Sequence, residues 1–467
     1  MSTETGPSNP YPTADPFGSW ALPASSEELM AQGRALRGPL PIEQQGHLPI
    51  RKDRDPLGIL AEQNATRLQD LVPLRAERMS ENLFAFYRGG AAIMAADLAA
   101  GPHSWVLVPS CGDAHISNFG FYGSPQRTLV FDLNDFDESA WAPWEWDLKR
   151  LIASIVIAGQ MSNRDQPTVE KAVLDSVKTY AVAMRAAIGM SPTKRYFVRL
   201  DVEASRDNLG KDSRTVLQNA VKHAHRRTSK RATHRLTRAE ENGRLRFIET
   251  PPTMTRATEE MEAASIQGLH DYMHSTNADV RQLMHHYRLS DMARRVVGVG
   301  SVGTRCALAL LQDGDGNTLI MQTKQAVTSV LQQYGGVRQP QELQEHIDNH
   351  GEGGRVVAMQ RILQAVSDPF LGHLQTPYAD LYVRQFHDMK GGIDAETLDD
   401  GPFTAYSQAC AVMLARAHSQ SPNAAVVSGY VGGKGRKLGE ALVQWGYAYT
   451  DLTKQDYKKF LAAHPAK

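Results

Sequence analysis

An aspartate and an asparagine, Asp113 and Asn118, lie five residues apart in the segment CGDAHISN, directly after an apolar run. Phosphoryl transfer requires a carboxylate that orients the attacking hydroxyl, and oxygen ligands that hold Mg²⁺ against the nucleotide phosphates. We therefore predict that Asp113 is the catalytic carboxylate and that Asn118 binds the metal. His115 lies between them and is assigned to the same catalytic loop, where it can hydrogen-bond and fix the loop's shape.

The second carboxylate of such a site is expected at the end of a neighbouring strand. The segment LVFDLNDFDE offers three candidates, Asp132, Asp135 and Asp137. Asp135 and Asp132 are the predicted metal ligands, and the choice among the three carboxylates stays open. The alternative interpretation is an acid-rich hairpin end that faces solvent.

A glycine-rich segment and a lysine form the second group of candidates, namely Gly298, Gly300, Ser301, Gly303 and Lys324. In a kinase-like fold the glycines form a hairpin over the phosphates, and a following strand, here LIMQTK, carries the lysine to the α- and β-phosphates. A dinucleotide-binding fold would instead make TRCALALLQ a helix and end the next strand with an acid. The lysine favours the kinase-like hypothesis, and the dinucleotide fold is kept as the alternative.

A kinase-like site also needs a helical acid that pairs with this lysine. Glu342, Glu345 and Glu352 are the candidates, and Gln360 occupies a position where an acid is expected. The pattern singles out none of the three. The charge partner of the lysine therefore stays open.

Two basic segments allow more than one interpretation. In YRGG, Arg88 is suited to bidentate contact with a phosphate, although a helix-packing turn explains the segment equally well. The stretch Lys222–Arg238 contains seven Lys or Arg and three His residues, and it is either a solvated face or a dock for an acidic substrate. No aromatic residue interrupts this stretch, so nucleic-acid binding by base stacking is not predicted.

The bulk composition is that of an ordinary globular protein. The 467 residues include 51 basic and 51 acidic side chains, which cancel, so no global charge attracts nucleic acid or an anionic membrane. Three cysteines far apart in the chain argue against a disulfide framework. The first residues resemble no secretion signal, and no apolar run is long enough for a membrane span. We predict a cytoplasmic protein with no membrane partner.

The pattern of elements predicts a mixed α+β protein in four parts: an irregular arm over 1–55, a helical lobe with the catalytic loop over 56–292, a β-rich nucleotide-binding lobe over 293–392, and C-terminal helices over 393–467 that return to the helical lobe. Within the helical lobe, residues 167–190 and 257–292 show helical periodicity. The segment DGDGN predicts a tight turn between two strands of the β-rich lobe.

Several of these motifs resemble those of known phosphotransferases. GDAHISN resembles the G-D-x-H-x-x-N catalytic loop of aminoglycoside and choline phosphotransferases, and Asp135-Phe136 resembles their metal-binding D-F. A further D-L often follows about a dozen residues later, where this chain has Asp147-Leu148. The resemblance implies that Asp135 rather than Asp132 binds the metal.

Over about residues 45–450 the chain also resembles the bacterial DUF2252 family, through CGDAHISNFGFY, VFDLNDFDES, WEWDLKRLIAS, VGVGSVGTRC and YVRQFHDMKG together. The resemblance implies a two-lobed, protein-kinase-like fold and indicates no acceptor. The catalytic loop precedes the glycine segment, the reverse of the usual order, so the lobes are expected to be circularly permuted. Gln325 departs from the family pattern, which has an acid directly after the lysine.

The combined hypothesis is Mg²⁺-dependent transfer of the γ-phosphoryl group of ATP to an unknown hydroxyl acceptor, either a small molecule or a protein. Two other functions stay open. One is a nucleotide-binding pseudokinase that acts as a scaffold, and the other is an NAD(P)-dependent oxidoreductase. The sequence does not predict the acceptor or the oligomeric state.

Overall fold

The computed structural model describes residues 22–200, 202, 210–227, 229–296, 298–386 and 389–465. Over these residues the protein is a mixed α+β structure with 54% helix and 15% strand, which confirms the predicted class. The largest hydrophobic core lies among the helices of both chain ends. Two further clusters lie on opposite faces of an antiparallel sheet.

Among the described residues, five α-helices precede the first strand: α1 Ser26–Ala35, α2 Pro56–Ala65, α3 Val72–Ser80, α4 Leu83–Gly89 and α5 Ala91–Ala100. The prediction of an irregular arm up to residue 55 is wrong for α1. Ser25 and Glu28 form a capping box that starts this helix. Residues 1–21 of the predicted arm lie outside the described part of the chain.

The strands around the CGDAHISN loop and the acidic segment form two antiparallel pairs. Strand β1 (Leu107–Ser110) pairs with β4 (Ala140–Pro143), and β2 (Phe119–Gly123) pairs with β3 (Leu129–Leu133). The next two helices are α6 (Trp144–Met161), which is buried on nearly every face, and α7 (Gln166–Ile188), which confirms the helix predicted over 167–190.

Between α7 and strand β8 of the main sheet, the described residues outside that sheet form these elements: α8 Pro192–Tyr196, α9 Lys211–Arg226, α10 Ser229–Leu236, β5 Thr237–Ala239, β6 Leu245–Phe247, α11 Glu259–Ser275 and α12 Ala278–Met284. The basic stretch Lys222–Arg238 covers the end of α9, all of α10 and the first two residues of β5. Most of its described charged side chains are exposed.

The main sheet has six antiparallel strands in the order β11-β12-β10-β9-β8-β7. They are β7 Met254–Arg256, β8 Arg288–Arg295, β9 Cys306–Gln312, β10 Thr318–Ala326, β11 Gly372–Thr376 and β12 Ala379–Gln385. The DGDGN turn between β9 and β10 is confirmed, because Asp313 accepts hydrogen bonds from the main-chain N–H groups of Asp315 and Asn317.

The start of this sheet differs from the prediction. Strand β7 lies before residue 293 and β8 begins before it, at Arg288, so the helices within the predicted range 257–292 end with α12. Strand β8 has few apolar residues, so its own pattern does not indicate a strand. It is a strand because most of its length pairs with β9.

The remaining helices are α13 Val330–Gln333, α14 Gln341–Leu363, α15 Asp400–His418, α16 Ala424–Val431 and α17 Arg436–Ala463. Helix α15 packs against α7, and α17 packs against α6 and α7. Arg54 joins the two ends of the chain, because its guanidinium donates to the buried carboxylates of Asp97 on α5 and Asp456 on α17.

No single helix among the described residues is both long enough and apolar enough to cross a membrane. One pair, α4 with α5, meets the length and composition criteria only when the two helices are taken together, and the pair is bent by 71°.

Candidate active site

A cleft of about 780 Å³ opens between the main sheet and the helical part of the molecule. It brings together most of the predicted site residues: Asp113, His115, Asn118, Asp135, Gly298, Gly300, Ser301 and Lys324. Two of the predicted residues, Asp132 and Gly303, do not line it. The cleft therefore gathers side chains from three segments that are far apart in the sequence.

The catalytic loop, residues 111–118, is held by one face of α6. Both carboxylate oxygens of Asp147 accept main-chain hydrogen bonds, from Cys111 at 2.6 Å and from Gly112 at 2.9 Å. Two turns further along α6, the Ser154 hydroxyl accepts the N–H of Ile116 at 2.8 Å. Positions i and i+7 lie on the same side of a helix, so α6 reaches both ends of the loop.

A third residue on this face of α6 binds the predicted catalytic carboxylate itself. Arg150 donates from Nε and Nη2 to Oδ1 of Asp113, at 2.9 and 2.7 Å. The guanidinium also lies over the ring of Tyr87, 3.9 Å from its centroid. The other oxygen, Oδ2 of Asp113, lies 3.6 Å from His115 Nε2. That oxygen is the one left to meet a hydroxyl in the cleft.

His115 is a neutral side chain within this loop. Burial lowers the pKa of His115 to about 3, and the nearby Arg88 and Arg150 charges also lower it, while Asp113 opposes the shift. The main-chain N–H of His115 donates to the carbonyl of Asp113 at 2.8 Å. These contacts fit a residue that shapes the loop rather than one that carries a proton.

Asn118 joins the catalytic loop to the acidic segment. Its Nδ2 donates to the carbonyl oxygens of Asp113 at 2.9 Å and Asp135 at 3.1 Å. Because both amide hydrogens are used, only Oδ1 remains to contact a ligand. An amide oxygen beside the Asp135 carboxylate is a suitable pair of ligands for Mg²⁺, which usually takes one or two carboxylates and completes its shell with phosphate and water.

The carboxylates of the acidic segment lie in different environments. Asp135 lines the cleft with its side chain 48% exposed. Enclosure raises its pKa, but the charges of Lys324, Arg384 and Lys390 outweigh this and hold the pKa of Asp135 below its ordinary value. Asp132 is buried and accepts the N–H groups of Leu133 and Ala365 at 2.9 Å each. Its surroundings are those of a structural carboxylate.

The described residues contain no group of three or more His, Cys, Asp and Glu side chains arranged to hold a metal ion. A metal at this cleft would therefore depend on Asn118 and Asp135 together with oxygens of a bound nucleotide, as is usual for Mg²⁺.

The charge partner of Lys324 comes from the acidic segment and not from a helix. Lys324 Nζ lies 2.5 Å from Asp137 Oδ2 and 3.4 Å from Asp135 Oδ1. Burial lowers the pKa of Lys324, but the two carboxylates outweigh it and raise the pKa well above its ordinary value. Tyr382 donates its hydroxyl to the other oxygen of Asp137 at 2.6 Å.

The helical candidates for this partner have other roles or stay apart from the cleft. Glu352 forms an ion pair with Arg355, and Gln360, which does line the cleft, donates to Gln364 at 2.9 Å. Glu342 and Glu345 are absent from the cleft lining. Among the described residues the expectation of a helical acid is therefore wrong, and no local signal in the sequence identifies Asp137 as the partner of Lys324.

Arg355 is a site residue that the sequence pattern does not reveal. Its guanidinium is fully buried and donates to the carbonyl oxygens of Asp137 at 2.9 Å and Val327 at 2.8 Å, and to that of Ser139. It thereby joins α14 to the acidic segment and to the residue just after β10. An arginine within a helical stretch normally indicates an exposed face, so its burial is visible only in the folded chain.

The glycine segment, residues 298–303, connects β8 to β9. Gly298 and Gly303 have φ values of 73° and 89°, which other residues rarely adopt. The segment lies against the N-terminal helical region: Arg78 donates to the Gly298 carbonyl at 2.5 Å, and the Leu68 N–H donates to the Gly303 carbonyl at 2.8 Å. The dinucleotide hypothesis made TRCALALLQ a helix; that element is strand β9, so this prediction is wrong.

The fold and the cleft together define a class: a mixed α+β protein whose cleft joins acid, amide and lysine side chains from both halves of the chain. Residues 67–463 match the family described as "Uncharacterized protein conserved in bacteria (DUF2252)", and the chain belongs to this family. The matched region includes the catalytic loop, the acidic segment and the glycine segment. Comparison with curated proteins and with solved structures gives no match.

Proposed function

We propose that this protein transfers the γ-phosphoryl group of ATP to a hydroxyl acceptor in a Mg²⁺-dependent reaction. The observation that carries the proposal is the convergence of the acidic segment and the lysine strand. Asp135 and Lys324 are 189 residues apart in the sequence, yet their charged atoms lie 3.4 Å apart in the cleft that Asp113 and Asn118 also line. These are the groups that phosphoryl transfer requires.

Each side chain has a role in the proposed reaction. Lys324 and the main chain of the glycine segment hold the phosphates, and Asn118 Oδ1 and Asp135 hold Mg²⁺, which neutralises phosphate charge when bound. Asp113 Oδ2 orients the acceptor hydroxyl and accepts its proton. The acceptor oxygen forms a bond to the γ-phosphorus, the bond to the bridging oxygen breaks, and ADP leaves. The proton then passes from Asp113 to solvent.

The proposal extends to the fold. We infer a two-lobed, protein-kinase-like arrangement in which the helical catalytic lobe precedes the β-rich nucleotide lobe. Three features support it: the glycine segment is a hairpin connection, the lysine lies on the next strand, and a buried helix carboxylate, Asp147, holds the catalytic loop. The order of the segments does not affect the site, because catalysis depends on which groups meet.

The first test is thermal unfolding of the full chain with Mg²⁺ and saturating ATP, ADP, GTP or NAD. A ligand at about a hundred times its Kd stabilises the native state by about 2.7 kcal/mol, which is easily measured. We expect stabilisation by Mg-ATP that is lost in Asp135→Asn and kept in Asp315→Asn, an exposed aspartate of the β9–β10 turn. Stabilisation by NAD and not by ATP would overturn the proposal.

A nucleotide-binding scaffold is the second candidate. The tight pairing of Lys324 with Asp137 favours it, because this carboxylate competes with nucleotide phosphates for the lysine. Release of ADP in the presence of acceptor candidates separates the two functions. Mg-ATP binding without any phosphoryl transfer or hydrolysis supports the scaffold, whereas transfer that disappears in Asp113→Asn supports the enzyme.

A further inference from the structure

Two arginines form the part of the cleft wall that lies nearest the catalytic loop on the side of the N-terminal helices. Arg75 is on α3 and Arg88 is in the last turn of α4, and both line the cleft. The proposed function assigns neither of them a role, because Lys324 and the glycine segment already serve the nucleotide phosphates.

Arg75 is buried, and no carboxylate among the described residues forms an ion pair with it. Only 2% of the residue is exposed, and its guanidinium donates to neutral oxygens: Asn64 Oδ1 at 2.7 Å, Gln63 Oε1 at 3.2 Å and the Gly89 carbonyl at 3.2 Å. Its Nε has no partner among the described residues. Burial, with a smaller contribution from the charge of Arg67, lowers the pKa of Arg75 to about 9, while Tyr334 and Glu138 oppose the shift. A buried charge of this kind is costly unless a counter-ion meets it.

Arg88 lies beside the catalytic loop. Its neighbour Tyr87 stacks on Arg150, the arginine that binds the Asp113 carboxylate, and its charge contributes to the lowered pKa of His115. The Nε of Arg88 is buried and has no hydrogen-bond partner among the described residues. Arg75 donates to the carbonyl of the next residue, Gly89, and so holds the end of α4 that carries Arg88.

The other side of the cleft differs in charge. Lys324 has two carboxylates within 3.4 Å, and the carboxylates of Asp135 and Asp137 raise the pKa of the nearby Arg384 although burial opposes this. The positive charge next to Asp135 is therefore paired at short range. In contrast, no ion pair of Arg75 or Arg88 is seen among the described residues, and the carboxylate that acts on Arg75, Glu138, does so without a direct hydrogen bond. Arg88 lies between two parts of the site: its charge acts on His115 of the catalytic loop, and its carbonyl oxygen lies beside Gly300 of the glycine segment.

We propose that the acceptor is an anion, a hydroxyl compound that also carries a phosphate or carboxylate group. Arg88 binds this group while the hydroxyl meets Asp113, and the nearby positive charge of Arg75 adds to the attraction. This inference rests on the proposed phosphotransferase function. It separates this protein from the aminoglycoside and choline phosphotransferases that its catalytic loop resembles, because those acceptors are cations. A cationic acceptor would be repelled by two guanidinium groups that form no ion pair among the described residues.

The test fills the nucleotide site first, with saturating Mg²⁺ and the non-hydrolysable ATP analogue AMP-PNP, and then titrates inorganic phosphate and, separately, acetate at constant ionic strength. Binding is followed by the thermal unfolding of the full chain. We expect saturable stabilisation by at least one of the two anions and none by choline chloride. In Arg88→Gln the Kd of that anion should rise by about tenfold or more, because a charge-assisted contact is lost.

Arg88→Lys keeps the charge and should retain most of the anion binding, whereas Arg305→Gln removes an exposed arginine that does not line the cleft and should change nothing. AMP-PNP affinity should stay within about threefold in all three variants. A larger loss in Arg88→Gln would assign Arg88 to the nucleotide phosphates and overturn the anionic acceptor. Failure of AMP-PNP to bind the unaltered protein would overturn the phosphotransferase proposal. Binding of AMP-PNP without anion binding, or anion binding that Arg88→Gln leaves unchanged, would overturn the anionic acceptor alone.

Discussion

The catalytic loop and the glycine segment meet in one cleft but are held in different ways. Residues 111–118 are held by buried side chains of two helices. These are Asp147, Arg150 and Ser154 of α6, and Tyr406 of α15. The Tyr406 hydroxyl donates to the Ile116 carbonyl at 2.9 Å. Residues 298–303 are anchored through their own carbonyl oxygens, which accept hydrogen bonds from α3 and the preceding segment.

The two ways of holding the segments match two different requirements of the proposed phosphoryl transfer. A carboxylate that orients a hydroxyl must be fixed, and buried charged anchors provide that, because breaking them leaves a polar group without water. A cover over the phosphates must admit and release the nucleotide. The contact at Gly298 lies near the surface and opens locally at low cost, so the start of the glycine segment is the part expected to move, whereas Val302 near its end is buried.

The largest effect is expected when the Asp113 carboxylate is removed. In Asp113→Asn, turnover should fall by about 10²–10⁴-fold, the usual contribution of a general base. Nucleotide affinity should change little, because Asp113 faces the acceptor. Stability will also fall, since Arg150 loses its acidic partner, so steady-state rates and Mg-ATP affinity are measured well below the unfolding temperature. Unchanged turnover would contradict the assigned role.

The next largest effect is expected at Asp147, the α6 carboxylate that holds the catalytic loop. Asp147→Asn removes a carboxylate that is 1% exposed and accepts two main-chain hydrogen bonds, and we expect a loss of about 2–4 kcal/mol in the free energy of unfolding. Urea denaturation measures it. Asp451→Asn, which removes an exposed carboxylate paired with Lys454, is the matched control. An equal loss in the free energy of unfolding in both variants would mean that the buried hydrogen bonds of Asp147 contribute nothing to stability.

The pH dependence of stability tests the burial of the loop. His115 has a lowered pKa of about 3, so its unfolded form binds a proton at a higher pH than its folded form. The stability that neutral His115 provides is complete above about pH 6.5 and is lost as the pH falls toward 3. His115→Gln should therefore lose less stability than the unaltered protein between pH 7 and pH 4, as measured by urea denaturation. Parallel curves would show that His115 is solvated.

The smallest effect is expected at the glycine segment. Arg78→Ala removes the hydrogen bond to the Gly298 carbonyl near the surface, and the free energy of unfolding should change by less than about 1 kcal/mol. Hydrogen exchange of the main-chain N–H groups in residues 298–303 should become faster, while Cys111 and Gly112 stay protected. Glu77→Ala, an exposed position on the same helix, is the control. Faster exchange in both loops would remove the distinction drawn between them.

Local patterns carried the predictions of the catalytic loop, the acidic segment, the glycine hairpin and the lysine strand. Each depends on residue types within about ten positions, such as GDAHISN or the DGDGN turn. The failures follow from the same limit. Strand β8 has little apolar pattern and is defined by its pairing with β9, and α1 begins at a capping box within an otherwise irregular segment.

The sequence by itself determined the chemical groups available to this protein: a carboxylate and an amide in one loop, further carboxylates on the next strand, and a glycine hairpin followed by a lysine. Only the tertiary structure decided which of them meet. Asp137 pairs with Lys324 across 187 residues, and Asp132 turns away from the cleft. Long-range ion pairs form between whichever charges the packed core brings together, and no local pattern encodes that distance.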